Sequence, residues 1–278
     1  MIIINDQLED DNDIYKSTFK YYKQGNDLSK CLDFSKPESF HEKTKRFPIP
    51  NISNINLPNC LILDHFKPLH EWEMYTPTES IPGLIIVPGI LHQDYRQEWF
   101  EYFHNHLPWR DELQLKANVD LNRRNQNQLR WITFGFHHNW DSKIYSLNQP
   151  TCIIPKRIDE FSNVISRYLN LDFQPQAGIV NYYNRKSSLC FHTDHSELNH
   201  SIPLLSFSLG SPAIFLIGGK TKDSSIPIVP IVLRDSDLLI MSGDSRLALH
   251  AIAKIIPEDD KLNSKSICRI NLNIRQVQ

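Results

Sequence analysis

After Pro175 the sequence becomes a succession of short segments rich in aliphatic, β-branched and aromatic residues, separated by Pro, Gly, Asn, Ser and Asp. The segments are GIVNYY (178–183), SLCFHTD (188–194), PLLSFSLG (203–210), AIFLIGG (213–219), IPIVPIVL (226–233), DLLIMSG (237–243) and ICRINLNIRQV (267–277). Short strands at such close spacing are typical of β-sandwiches and jelly rolls. This half of the chain therefore predicts a β-sandwich or a jelly-roll core.

The part of the chain before Pro175 has a helical character. Amphipathic spacing predicts helices over residues 13–24, 94–107 and 157–170. We therefore expect an α+β fold, in which a β-sandwich or jelly roll forms the core and helices flank it.

Composition excludes several classes of protein. The 278 residues include 30 Lys and Arg against 32 Asp and Glu, so the chain does not coat nucleic acid by bulk charge. Its five cysteines are an odd number and form no Cys-x-x-Cys pair. We therefore expect no disulfide framework, which is typical of a protein in a reducing compartment. The most apolar run, residues 81–91, is too short to span a membrane. The first residues resemble neither a secretory nor a mitochondrial targeting segment, so we expect cytoplasm or nucleus and no membrane association.

The last segment alternates polar and apolar residues. The polar ones are Arg269, Asn271, Asn273 and Arg275, and the apolar ones are Ile270, Leu272 and Ile274. Because successive side chains of a strand point to opposite faces, the polar residues share one face. This face either meets water at a sheet edge or looks into a ligand cavity. In a cavity, each guanidinium can hold one carboxylate of a dicarboxylate ligand by paired hydrogen bonds.

A metal site is indicated by His192, Asp194 and His250. The first two are two positions apart and share a face if the segment is a strand, and the third lies in a later apolar β context. A histidine in such a context is more often a satisfied core residue than a ligand. Two imidazoles and one carboxylate, however, form the facial triad of non-haem Fe(II) oxygenases, which leaves positions open for a bidentate 2-oxo acid and for dioxygen.

Longer segments around these residues are similar to a known family. The segments AGIVNYY (177–183), HTDHSELNHSIPLLSFSLGSPAIFLIGG (192–219), DLLIMSGDSRLALHA (237–251) and RINLNIRQV (269–277) resemble the AlkB family of Fe(II)/2-oxoglutarate dioxygenases. The similarity is greatest to the eukaryotic AlkB homologue 1 branch of that family. LRWITFGFHHNWDSKIYS (129–146) resembles the substrate-side segment of the same branch.

The resemblance implies a fold, cofactors and residue roles. It implies a double-stranded β-helix that uses Fe(II), with 2-oxoglutarate and O2 as cosubstrates. The residues implied to bind iron are His192, Asp194 and His250. The residues implied to bind 2-oxoglutarate are Arg269, Tyr183 and Asn271 at the distal carboxylate, and Arg275 and Asn181 at the keto-acid end.

A further set of residues is expected on the substrate side. They are Trp131, His138, Trp140, Tyr145, Ser196 and Glu197. Flat side chains commonly hold a base that has left the stack, although each aromatic residue of this set could instead fill the core. The bacterial family member has a second acidic residue two positions after its iron-binding Asp. Ser196 stands there in this chain, so the bacterial preference for damaged DNA bases does not carry over.

The domain prediction combines these patterns. Residues 1–58 are predicted to form an N-terminal helix and a loop-rich arm, because residues 25–58 are polar and broken by prolines. Residues 59–278 are predicted to form the AlkB-like dioxygenase domain. Within it we place a substrate-side segment over 129–146 and a catalytic β core over 177–278.

Three hypotheses about function follow. The first is an oxidative demethylase of methylated nucleic acid bases, with tRNA favoured and unpaired or single-stranded DNA as an alternative substrate, which releases formaldehyde, succinate and CO2. The second is an Fe(II)/2-oxoglutarate enzyme that hydroxylates or demethylates a protein such as a histone or a translation factor. The third is a non-catalytic RNA-binding module, against which the intact triad and both arginines argue.

For the first hypothesis we expect a monomer that holds the nucleic acid backbone through local basic residues at the mouth of the site. These are Lys43, Lys45, Arg46, Arg123, Arg124 and Arg130. Structured RNA offers unpaired bases without the cost of opening a duplex, which favours tRNA.

Overall fold

The computed structural model describes residues 13–25, 27–36, 44–47, 60–77, 81–123, 126–139, 141–147, 152–223, 225–257 and 263–278. The helices are α1 (Ile14–Gln24), α2 (Gln93–Glu101) and α3 (Lys156–Tyr168). The strands are β1 (Leu32–Asp33), β2 (Thr44–Phe47), β3 (Met74–Pro77), β4 (Leu84–Val87), β5 (Lys116–Ala117), β6 (Trp131–Gly135), β7 (His138–Asn139), β8 (Ile144–Tyr145), β9 (Ala177–Asn184), β10 (Leu189–His192), β11 (Leu204–Gly210), β12 (Ala213–Ile217), β13 (Val229–Leu233), β14 (Leu238–Met241), β15 (His250–Ile255) and β16 (Ile267–Arg275). The predicted residues Lys43, Arg124 and Trp140 lie outside the described residues.

The described strands form two facing sheets and one small hairpin. The nine-stranded sheet has the order β2-β3-β4-β14-β11-β16-β9-β6-β5, and the five-stranded sheet has the order β1-β13-β12-β15-β10. Pairing is antiparallel throughout, except that β1 runs parallel to β13. This arrangement, with strands that pass repeatedly between the two sheets, is the predicted jelly roll.

Strand β16 lies at the centre of the nine-stranded sheet, between β11 and β9. Its apolar residues Ile270, Leu272 and Ile274 are fully buried in the same cluster as residues of α2 and α3. Trp99 of α2 and Phe161 of α3 have ring centroids 5.6 Å apart in this cluster. The alternation in the sequence is therefore confirmed, because the helices cover the apolar face and leave the polar face toward the other sheet.

Helix α1 covers the outer face of the five-stranded sheet. It begins after Asp13, whose carboxylate accepts hydrogen bonds from the backbone N–H groups of Tyr15 and Lys16. The Tyr15 hydroxyl donates to the Thr221 carbonyl and accepts from the Gly219 N–H, each at 3.0 Å. These bonds fix the helix against the loop that follows β12.

The N-terminal arm contains more regular structure than its prolines led us to expect. Leu32–Asp33 joins the edge of one sheet, and Thr44–Phe47 pairs with β3 at the edge of the other. Lys45 and Arg46 therefore lie in an edge strand and not in a loop, because their backbone continues the sheet. The domain division at residue 58 stays a prediction, since residues 48–59 lie outside the described part.

Within the described part of the chain, no helix is both long enough and apolar enough to cross a bilayer.

A buried histidine beside β6 predicts acid sensitivity. The Nδ1 atom of His137 lies 2.8 Å from the Thr133 hydroxyl, and burial lowers the pKa of this imidazole to about 4. The unfolded chain binds a proton near pH 6.5, so folding stability is lost as the pH falls from about 6.5 toward 4. Changing His137 to Gln should reduce the stability difference between pH 7.5 and pH 5 by about 1–2 kcal/mol, as measured by urea unfolding.

The control for this measurement is His70→Gln, because the His70 side chain is 81% exposed. The control should keep the wild-type difference between the two pH values. An unchanged pH dependence in the His137→Gln variant would show that other groups cause the acid sensitivity.

Candidate active site

The three predicted metal-binding residues meet where β10 and β15 pair. His192 ends β10, His250 begins β15, and the two are cross-strand partners whose ring centroids are 4.3 Å apart. Asp194 follows two residues after the end of β10, past the last pair of the ladder. One possible ligand atom from each of the three residues lies within 4.8 Å of the others.

Hydrogen bonds orient both imidazoles of this cluster. The Nδ1 atom of His192 is 2.9 Å from the Cys190 carbonyl, and that of His250 is 2.9 Å from the Ala248 carbonyl. A carbonyl can only accept, so each Nδ1 carries a hydrogen, and the Nε2 atom of a neutral imidazole is free to bind a metal. Burial lowers the pKa of His250 to about 4, which keeps this ring neutral at physiological pH.

The carboxylate of Asp194 is held by a buried guanidinium. Its Oδ2 atom is 2.9 Å from Nη2 of Arg275 and 3.8 Å from Nε2 of His250. Burial, the largest single effect, would raise the pKa of Asp194, but the combined effect of Arg275, His250 and His192, with Arg275 the largest of these, holds this pKa well below its usual range. The three groups therefore offer two neutral nitrogens and one anionic oxygen, a donor set that fits Fe(II).

A cavity that is partly open to solvent extends from these residues between the two sheets. Polar side chains from the inner face of the nine-stranded sheet line it, together with aliphatic and aromatic groups. The polar lining residues beyond the metal cluster are Tyr183, Ser206, Asn271 and Asn273. The polar face of β16 therefore looks into a cavity, and the alternative of an edge strand in water is wrong.

Arg269 lies on the same face of β16, opposite Tyr183 of β9, and is fully buried. Its guanidinium donates to the carbonyls of Ser211 and Leu233 and to the Ser208 hydroxyl. The Nε atom has no hydrogen-bond partner, and no carboxylate of the described residues pairs with this cation. Burial without a counter-ion lowers the pKa of Arg269 and leaves a buried cation to be compensated by a ligand carboxylate.

The neighbours of Arg269 complete a polar end of the cavity. Burial raises the pKa of Tyr183 to about 12, so its hydroxyl remains a hydrogen-bond donor. The Asn271 amide donates to the Ser206 hydroxyl at 2.9 Å. Asn181 lies opposite Asn271 in the ladder and is half-buried. The residues expected at a dicarboxylate are thus brought together on one face of two adjacent strands.

The substrate-side residues fall into two groups. Trp131 is half-buried on β6 and is the cross-strand partner of Asn181. The His138 Nε2 atom is 2.9 Å from the Ser196 hydroxyl, which joins the hairpin of β7 and β8 to the loop after Asp194. Tyr145, by contrast, is 7% exposed and packs in a small core cluster, the alternative noted for each aromatic residue.

Glu197 lies elsewhere than we expected. Its carboxylate is buried between Arg246 and Arg275, at 2.8 and 2.9 Å, and does not face outward. We did not single out Arg246 from the sequence. A lone arginine in the polar turn SGDSR suggests a solvated side chain, and only the folded chain shows that this one is buried.

The fold and this site together define a class of protein, the jelly-roll dioxygenases that use Fe(II) and 2-oxoglutarate. Residues 83–275 match the 2OG-Fe(II) oxygenase superfamily. The chain is 30% identical to nucleic acid dioxygenase ALKBH1 of Mus musculus, over 89% of this chain and 71% of that protein. It is 32% identical to tRNA demethylase abh1 of Schizosaccharomyces pombe, over 58% of this chain and 56% of that protein.

The solved structure of OsALKBH1 has the same fold, with a TM-score of 0.51 and 22% identity over 72% of this chain and 99% of that chain. The chain belongs to the AlkB family of the 2OG-Fe(II) oxygenases, close to ALKBH1. The predicted family and fold class are therefore confirmed. The protein is a dioxygenase with Fe(II) as cofactor and 2-oxoglutarate and O2 as cosubstrates.

Proposed function

We propose that this protein is an oxidative demethylase of methylated nucleic acid bases, with tRNA as its favoured substrate. The observation that carries the proposal is the cavity itself, which is lined by His192, Asp194 and His250 and by Tyr183 and Asn271. These last two residues are neighbours of the buried Arg269 on β9 and β16. The relatives named nucleic acid dioxygenase and tRNA demethylase support the substrate class.

In this proposal His192 and His250 hold iron through Nε2 and Asp194 holds it through one carboxylate oxygen. The carbonyls of Cys190 and Ala248 fix the two rings, so little reorganisation accompanies metal binding. Arg275 stabilises the ionised form of Asp194 through an ion pair at 2.9 Å. The iron ligands are thus oriented before the metal arrives.

The cavity holds 2-oxoglutarate in one direction. Arg269, Tyr183 and Asn271 bind the distal carboxylate, and Arg275, which pairs with Asp194, binds the keto-acid end. Asn181, the other residue expected at the keto-acid end, lies opposite Asn271 in the ladder. When iron and both cosubstrates are bound, the site oxidises a methyl carbon to an unstable hydroxymethyl group that leaves as formaldehyde, while 2-oxoglutarate is converted to succinate and CO2. The buried lining, which includes Phe215 and Met241, keeps bulk water from this end.

The substrate base enters beside Trp131 in this proposal, and nearby arginines hold the backbone. Arg123 and Arg130 are exposed, and Arg130 directly precedes Trp131. Lys45 and Arg46 lie on β2, at the opposite end of the nine-stranded sheet. The basic residues therefore do not form one cluster, and only those on the Trp131 side are retained for the backbone contact.

Neutralising Arg123 and Arg130 together should weaken tRNA binding about tenfold at low salt, because two phosphate contacts are lost. The slope of log affinity against log salt should fall by between one and two. Formation of succinate without nucleic acid should stay unchanged. The measurement is the binding of tRNA and of fully paired duplex DNA across a salt series.

The control is the double variant Lys45→Ala, Arg46→Ala, which removes the same charge from the other end of the sheet. It should bind tRNA within about twofold of the wild type. Equal losses in both double variants, or tighter binding to the paired duplex than to tRNA, would contradict the proposal and favour the protein hydroxylase.

Two measurements separate the remaining hypotheses. Succinate formed from 2-oxoglutarate distinguishes an enzyme from a non-catalytic module. Mass spectrometry of tRNA nucleosides from cells with and without the gene distinguishes demethylation of RNA from modification of a protein. Cytoplasm or nucleus, and a monomeric state, stay predictions.

A further inference from the structure

Two carboxylates and two guanidiniums form a row of alternating charges beside the metal cluster. Asp194 pairs with Arg275 at 2.9 Å, Arg275 pairs with Glu197 at 2.9 Å, and Glu197 pairs with Arg246 at 2.8 Å. The side chains of Glu197, Arg246 and Arg275 are 1%, 2% and 3% exposed, so solvent does not screen these interactions.

Arg246 lies at the end of this row of charges and is held in place by two backbone carbonyls. Its Nη1 atom donates to the Asp194 carbonyl at 2.7 Å, and its Nε atom donates to the Ile202 carbonyl at 3.3 Å. The guanidinium therefore braces the backbone of the loop that carries Asp194 while its remaining nitrogen pairs with Glu197. This arrangement gives the Glu197 carboxylate a defined position and orientation.

Glu197 divides its two oxygens between the two arginines. Oε2 lies 2.8 Å from Nη2 of Arg246, whereas Oε1 lies 2.9 Å from Nε of Arg275 and accepts a hydrogen bond from the Tyr145 hydroxyl at 3.3 Å. Burial alone would raise the pKa of Glu197, but the charges of Arg275 and Arg246 lower it, so the carboxylate is ionised. Arg275 is consequently held by its Nε atom and presents Nη2 to Asp194.

We propose that Glu197 is a positioning residue that, braced by Arg246, orients Arg275 toward Asp194 and toward the keto-acid end of 2-oxoglutarate. This inference rests on the proposed role of Arg275. Without the Glu197 charge, both arginines would be attracted to the Asp194 carboxylate. Arg275 would also lose the ion-pair partner that sets the orientation of its guanidinium.

The test compares Glu197→Gln, which keeps the size and removes the charge, with Glu197→Asp, which keeps the charge and shortens the reach. Calorimetry with Mn(II) in place of Fe(II) measures binding of the metal and of 2-oxoglutarate without turnover. Glu197→Gln should weaken 2-oxoglutarate binding by about 10- to 100-fold, as is usual for groups that orient ligands. Glu197→Asp should fall between this variant and the wild type.

Steady-state kinetics and a matched control separate positioning from general damage. For Glu197→Gln the KM for 2-oxoglutarate should rise by a larger factor than kcat falls. The control Glu98→Gln removes another carboxylate that pairs with an arginine, Arg157, in the helical layer. It should bind Mn(II) and 2-oxoglutarate within twofold of the wild type.

Wild-type affinity in folded Glu197→Gln, with reduced affinity in Arg275→Lys, would overturn the inference and leave the role of Arg275 intact. Wild-type affinity in both variants would overturn the proposed role of Arg275 as well. If Glu197→Gln does not fold, Arg246→Lys decides the question, because lysine keeps the charge but cannot reach both Glu197 and the Asp194 carbonyl. Wild-type affinity for 2-oxoglutarate in that variant would also overturn the inference.

Discussion

Replacing Asp194 by alanine is expected to lower succinate formation from 2-oxoglutarate at least about a hundredfold and to weaken metal binding strongly. Two imidazoles cannot define a facial site, and even changes to groups that only orient ligands reduce activity by about 10- to 100-fold. His192→Ala and His250→Ala should have effects of the same size. The measurements are succinate formation at saturating iron and a titration with Mn(II).

The fold should survive this change, because the metal is not part of the core. Arg275 keeps Glu197 as a partner at 2.9 Å when the Asp194 carboxylate is removed. Thermal unfolding and circular dichroism check this point. His70→Ala, which removes an exposed histidine, should behave as the wild type. Wild-type succinate formation by Asp194→Ala would mean that the metal cluster is wrongly assigned.

Replacing Arg269 by alanine should raise the KM for 2-oxoglutarate by roughly a hundredfold or more. A buried carboxylate that loses its cationic partner typically costs about 3–5 kcal/mol, and each 1.4 kcal/mol corresponds to about tenfold in affinity. The metal cluster should bind Mn(II) normally, since Arg269 contacts none of its residues among the described hydrogen bonds. Saturation kinetics and calorimetry with 2-oxoglutarate measure the effect.

Arg269 also satisfies the carbonyls of Ser211 and Leu233, so Arg269→Ala will lose some stability. Arg269→Lys keeps the positive charge but loses the planar set of guanidinium N–H donors. Its KM for 2-oxoglutarate should lie between those of the alanine variant and the wild type. Arg123→Ala removes an exposed arginine and should leave the KM for 2-oxoglutarate unchanged. Equal 2-oxoglutarate saturation curves for Arg269→Ala and Arg123→Ala would contradict the proposal that Arg269 binds the distal carboxylate of 2-oxoglutarate.

Local patterns determine much of the fold. The alternation in β16 predicts its two faces correctly because the twofold period of a strand is a property of the backbone, independent of partners. The amphipathic spacing of α3 has the same basis at the helical period, and Ile158, Phe161 and Ile165 are all fully buried. The β-rich segments after Pro175 likewise appear as strands, with ends that differ by a few residues.

The metal cluster is also visible in the sequence, because its residue types and order restrict the chemistry. The expected strand geometry of His192 and Asp194 holds only in part. The pairing with β15 ends at His192, so the position of Asp194 depends on Arg275 and Arg246 and not on a ladder.

The sequence by itself thus determined the strand and helix faces and the residue types of the metal cluster, whereas only the tertiary structure decided the environment of the charged and aromatic residues around it. Glu197 and Tyr145 looked like residues that face a substrate, yet folding buries both. Arg246 was not singled out from the sequence, yet it is buried and its guanidinium donates to the carbonyl of Asp194. The physical reason is that burial and ion pairing depend on which distant segments meet. Those contacts join the hairpin of β7 and β8, the loop after β10 and the turn after β14. The local alternation of polar and apolar residues does not predict contacts between such distant segments.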